Sequence, residues 1–164
     1  MATTMKLIAK NVLGTAASSV SFTSIPGTYT DLLLLSSARC STTTDYFWIR
    51  FNGVSTNLSG RSLYGQNGST VASITLAPYA RMVQSDHTAN TFSANSIYIP
   101  NYAGSTNKSL SVDAGYSTAT TSSLIDVVAG LWSSTAAITQ VDLVPNSGNF
   151  AASSSFFLYG ISRA

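Results

Sequence analysis

The stretch Tyr46-Phe-Trp-Ile-Arg-Phe51, followed at once by Asn52-Gly53, decides the fold class. In an extended strand successive side chains point to opposite faces, so Phe47, Ile49 and Phe51 share one side and Tyr46, Trp48 and Arg50 the other. The first triplet is wholly apolar and reads as core. The second is a wide amphipathic face, better suited to a partner than to bulk water. Asn-Gly then supplies the chemistry of a tight turn.

Runs of the same kind recur on both sides of it. Strands are predicted at 19–24, 30–39, 46–51, 70–76, 93–99, 108–116, 124–131, 137–144 and 155–161. Between them lie Pro26-Gly27, Asn67-Gly68, Pro100-Asn101, Gly104-Ser105 and Pro145-Asn146, all turn-formers. No stretch of helical periodicity longer than about 8 residues interrupts them. The chain has no Glu, while Ser, Thr, Val, Ile, Tyr and Phe favour strands. The expectation is an all-β fold, a jelly-roll-like two-sheet antiparallel β-sandwich of about eight or nine strands. Residues 1–17, with Lys6, Leu7, Ile8, Lys10, Val12 and Leu13 before a small-residue joint, read as an N-terminal arm or an extra edge strand. Residues 18–164 then form a single sandwich domain.

Two strands break the rule that an antiparallel strand with one wet side alternates. The segments 31–35 and 124–131 are apolar on both faces, apart from Asp126. Either another subunit covers one sheet, or the chain's own loops do.

Composition narrows the function. Charged residues are 9% of the 164, against about 25% in an ordinary soluble domain, while 28 Ser and 20 Thr wet the surface with hydroxyls. A net charge of +2 on scattered Lys and Arg gives no basic stripe for nucleic acid. No apolar run approaches the roughly 18 residues needed to span a bilayer, and no signal peptide is expected. A lone Cys40 allows no internal disulfide and reads as a small half-buried filler.

The only histidine, His87, sits beside Asp86 in a polar stretch and reads as an exposed loop residue. No G-x-S-x-G elbow and no metal-ligand spacing accompany it, so neither an enzyme, a metal site nor a cofactor is expected. Asp113 and Asp126, isolated among apolar neighbours, suit an exposed polar face or a hydrogen-bonded buried acid. Asn57-Leu-Ser59, Asn67-Gly-Ser69 and Asn107-Lys-Ser109 match the glycosylation triplet, but in a chain this rich in Ser and Asn they read as loop composition. Exposed aromatics could grip a sugar, with Trp48, Tyr64, Tyr79, Tyr98, Tyr102 and Trp132 as candidates.

The run Ser21-Phe-Thr-Ser-Ile-Pro-Gly-Thr-Tyr-Thr-Asp-Leu-Leu-Leu-Leu-Ser-Ser-Ala-Arg39, with the later Phe51-Asn-Gly53 turn, resembles the opening of small structural proteins of tailed bacteriophages. Gly130-Leu-Trp-Ser-Ser-Thr-Ala-Ala-Ile138 and Ser155-Phe-Phe-Leu-Tyr-Gly-Ile161 continue the likeness over roughly residues 20–161. The resemblance implies a virion β-sandwich, either a capsid decoration (cement) protein or part of a tail fibre. A short sandwich with an N-terminal arm favours decoration: a homotrimer made in the host cytoplasm, seated on the capsid surface against the major capsid protein. Its expected contacts are Lys6, Leu7, Ile8, Lys10, Val12 and Leu13 from the arm, and Tyr46, Trp48 and Arg50 from the strand face. The alternative is a tail-fibre module that recognises host-surface carbohydrate.

Overall fold

The computed structural model describes residues 4–43, 46–68, 70–119 and 122–162. Residues 1–3 of the expected arm, Ser69 of the second glycosylation-like triplet and the last two residues lie outside that range.

Twelve strands form among the described residues: β1 Met5–Val12, β2 Val20–Phe22, β3 Asp31–Ala38, β4 Tyr46–Phe51, β5 Leu58–Gln66, β6 Thr70–Leu76, β7 Tyr79–Arg81, β8 Ser93–Ile99, β9 Lys108–Ser117, β10 Ser123–Trp132, β11 Val141–Pro145 and β12 Ser155–Ile161. They make an eight-stranded sheet ordered β1-β12-β3-β8-β9-β10-β5-β6 and a four-stranded sheet ordered β2-β11-β4-β7. Within both sheets every neighbouring pair is antiparallel. The expected antiparallel β-sandwich is present, with its strands divided eight to four between the two sheets.

Of the two forms expected for the N-terminal segment, Met5–Val12 takes the edge strand, zipped to β12 with a register shift between Leu7 and Ala9. Two strands carry too little pattern to be read from sequence alone, β5 with Gly60 and Gly65 and β7 with three residues. The run expected at 137–144 is a strand only from Val141, because the Asn52 side chain captures the backbone before it. Asn52 Nδ2 donates to the Ala137 carbonyl at 2.8 Å, and its Oδ1 accepts from the Thr139 and Gln140 amides at 2.9 and 3.1 Å. Asn52 and Gly53 hold φ of 53° and 74°, left-handed values that suit this Asn-Gly turn.

The core lies between the sheets. Leu32, Leu34, Ile97, Ile99, Val112, Phe156 and Leu158 of the larger sheet meet Val20, Phe22, Phe47, Ile49, Phe51, Val141 and Leu143 of the smaller. Phe47, Phe150 and Phe156 pack edge to face, with centroids 4.9 to 6.2 Å apart. The triplet Phe47, Ile49 and Phe51 is therefore core, as its spacing requires. Cys40 is wholly buried rather than half-buried.

Gly160, in the C-terminal motif, lies under the Tyr29 ring, and a Cβ there would overlap it. Gly160→Ala is expected to cost about 1–3 kcal/mol by overpacking, read as a lower urea midpoint with unchanged slope.

Candidate functional site

The outer face of the eight-stranded sheet stands out from the rest of the surface. Because neighbouring strands are paired in register, its side chains line up in rows that cross the whole sheet. One row runs Lys10, Phe157, Leu35, Ser96, Asp113, Val127, Leu63, Ser73. A second runs Val12, Ser155, Ser37, Ala94, Gly115, Ile125, Gly65, Val71. Only Lys10 and Asp113 in these two rows carry charge.

Among the described residues nine large hydrophobic side chains are exposed, and eight of them belong to this face: Met5, Leu7, Val12, Leu63, Val71, Tyr98, Ile125 and Val127. Val71 is 80% exposed and Ile125 66%. The ninth, Val54, follows the Asn52-Gly53 turn. The double-sided apolarity of β10 now has a physical reading. Leu124 and Val128 fill the core, whereas Ile125 and Val127 stand open on the other side. The chain's own loops do not cover them.

At the centre of the face the small side chains of Ser37, Ala94, Ser96 and Gly115 leave a shallow groove of about 720 Å³. Leu35 and Phe157 wall one side, Ile125 and Val127 the other, and Asp113 lies in it. The two isolated acids take the two roles open to them. Asp113 is exposed here, while Asp126 on the opposite side of the sheet is buried. Asp126 accepts from Arg81 Nε at 2.8 Å and from the Ser62 hydroxyl at 2.5 Å.

The expected contact residues fall in two separate places. Lys6, Leu7, Lys10 and Val12 are exposed on β1, at one edge of the large sheet, whereas Ile8 and Leu13 pack partly against the core. Tyr46, Trp48 and Arg50 are half-buried on the outer side of β4, in the small sheet. Tyr46 packs edge-on to Trp48 at 5.0 Å and lies 5.2 Å from Tyr79. The structure does not bring the β1 and β4 sets together. The outer residues of β3 and β10 enter the sequence reading only as one of two alternatives, a sheet covered by another subunit, and not as named contacts. Their signal was the double-sided apolarity of 31–35 and 124–131.

The sugar-binding candidates do not assemble either. Tyr79, Tyr102 and Trp132 are core residues, and Tyr98 donates its hydroxyl to Asp31 at 2.8 Å. They read as surface aromatics in sequence because Tyr and Trp occur on both sides of such a boundary. Burial pushes the Tyr79 and Tyr102 phenols above their ordinary value; at Tyr79 the Ser62 hydrogen bond and the Arg81 charge pull the other way. Their contribution to stability is full below about pH 10 and is lost as pH rises through the raised folded values. Burial of Lys108 lowers its pKa, so it acts in the opposite sense, adding stability as pH climbs toward about 10.4. Unfolding midpoints measured from pH 8 to 11 are expected to fall more gently above about pH 10 in Tyr79→Phe than in the unsubstituted chain.

His87 is in a loop, but it is not an exposed residue: its side chain is 18% exposed and its ring lies 5.9 Å from Tyr116. The Arg39 guanidinium explains this by gathering the carbonyls of Ser85, His87, Thr88 and Thr91 at 2.8 to 3.1 Å, which curls the loop inward. His87 Nε2 comes 3.2 Å from the Ser122 hydroxyl, a neighbour the sequence did not suggest. Asp86 Oδ1 is 3.7 Å from Nδ1, outside hydrogen-bond reach of the nitrogen it would have to orient in a catalytic triad. Among the described residues no three His, Cys, Asp or Glu side chains gather as a metal site, and no helix is long and apolar enough to cross a membrane. Comparison with known proteins finds no matching family model, no similar curated protein and no similar solved structure.

Proposed function

We propose that this chain is a structural part of a bacteriophage particle, a capsid decoration protein whose large sheet seats on the major capsid protein of the shell. The observation that carries the reading is the placement, among the described residues, of eight of the nine exposed large hydrophobics on one sheet face. An exposed face this rich in large apolar side chains is costly in water and marks a surface meant to be covered. Its near-neutral rows leave few ions to be stripped of water on docking. A standard interface buries about 1,600 Å² in total, within the scale of an eight-stranded face, and repetition over a shell multiplies its hold. The sequence resemblance to small phage structural proteins supports the same reading. Asp113 adds a requirement: the partner must bring a cation or hydrogen-bond donors to the centre of the groove.

The carbohydrate reading loses support with three of its six aromatic candidates in the core. Copy number decides between shell and tail. Gel densitometry of purified particles is expected to show the chain in proportion to the capsid protein; a few copies per particle, confined to tails, would overturn the proposal. So would ester or glycoside turnover lost in both Ser122→Ala and His87→Ala. Deleting residues 1–13 is a poor test, because it strips β1 from β12 along with the contacts. Lys6→Glu with Lys10→Glu probes that edge while keeping the strand.

A further inference from the structure

We propose that two copies of the chain join edge to edge through β6, extending the eight-stranded sheet across a two-fold axis. A sheet edge presents unpaired N–H and C=O groups, and proteins blunt it with short strands, lysines, prolines or bulges. Three of the four sheet edges here carry such a device. β1 has Lys6, Lys10 and a register shift; β2 and β7 are three residues each. β6 has none. It runs seven residues, Thr-Val-Ala-Ser-Ile-Thr-Leu, without charge or proline, in unbroken register with β5.

The occupant that fits is a second β6. Antiparallel pairing centred on Ser73 sets Ser73 opposite Ser73, Val71 opposite Thr75 and Ala72 opposite Ile74. No charge meets a like charge, and β-branched side chains pair across the axis. The operation keeps both outer faces on the same side of the joined sheet. Val71, 80% exposed in the single chain, then packs beside Thr75 of the other copy. The row Val127, Leu63, Ser73 continues into Ser73, Leu63, Val127, joining the two apolar faces into one. A self-complementary contact of this kind closes at two copies, so it gives a dimer rather than the trimer expected from the sequence.

The test uses the full chain without any shell, so its outcome is independent of the capsid reading. Sedimentation velocity from about 1 to 200 μM is expected to show a rise to twice the chain mass. Ser73 is exposed, and Ser73→Lys or Ser73→Glu sets like charges against each other at the axis. Each variant is expected to dimerise about tenfold more weakly or worse, while an equimolar mixture recovers the dimer as a Lys–Glu pair. Ser73→Cys, a near-isosteric change, should oxidise to a linked dimer where Ser21→Cys, exposed on β2, does not. A chain monomeric throughout, a threefold mass indifferent to Ser73, or charged variants that associate like the unsubstituted chain would overturn the proposal. Dimer loss by Lys6→Glu with Lys10→Glu instead would also overturn it, by moving the contact to β1.

Discussion

Arg81→Leu is expected to destabilise the fold by about 3–5 kcal/mol, the largest loss from any single polar substitution in the core. Asp126 has no side-chain exposure and Arg81 has 8%, so the ion pair is removed from water. It bridges β7 of the small sheet and β10 of the large one, with the guanidinium 5.2 Å from the Tyr64 ring and 5.0 Å from the Tyr79 ring. Losing the guanidinium strands a carboxylate in a medium that solvates it poorly, although the Ser62 hydroxyl still donates to it. The same reasoning makes the pair itself a modest net stabiliser. The double substitution Arg81→Leu with Asp126→Leu should therefore recover most of the loss. Urea unfolding of the two single variants and the double variant measures the coupling. Single variants within 1 kcal/mol of the unsubstituted chain would show that water reaches the pair.

Ile125→Asp is expected to weaken seating on shells by at least about 100-fold, roughly 2.7 kcal/mol, if the large sheet is the docking face. The introduced carboxylate has no built partner and would be stripped of water in the contact. In the free chain Ile125 is 66% exposed, so stability should change by about 1 kcal/mol or less. Val54→Asp is the matched control, an exposed hydrophobic off that face. Occupancy read by gel after mixing with undecorated shells should fall for Ile125→Asp and hold for Val54→Asp. Equal occupancy of the two would remove the sheet face as the contact.

Four strands made of short apolar or partly alternating runs were legible residue by residue. The bounds read for 46–51, 70–76, 93–99 and 155–161 are those of β4, β6, β8 and β12. Such runs need only local side-chain chemistry to show themselves. β5 was not legible: its glycines and serines are strand-like only because β10 and β6 hold the backbone on both sides. The Ser122–His87 approach was hidden for a similar reason, since it depends on Arg39 drawing distant carbonyls together.

By itself, then, the sequence determined that the chain is built of antiparallel strands, that Phe47, Ile49 and Phe51 face inward, and that the surface is poor in ions. Those follow from alternation and composition, which are properties of the chain as written. Only the tertiary structure decided which side of the apolar β3 and β10 is core, since both sides carry the same chemistry and the four-stranded sheet covers one of them. It also decided that Asp126 is a buried ion-pair partner while Asp113 lies in an open groove. That difference is set by which strand crosses opposite each acid, and pairing between residues far apart in the chain leaves no local mark.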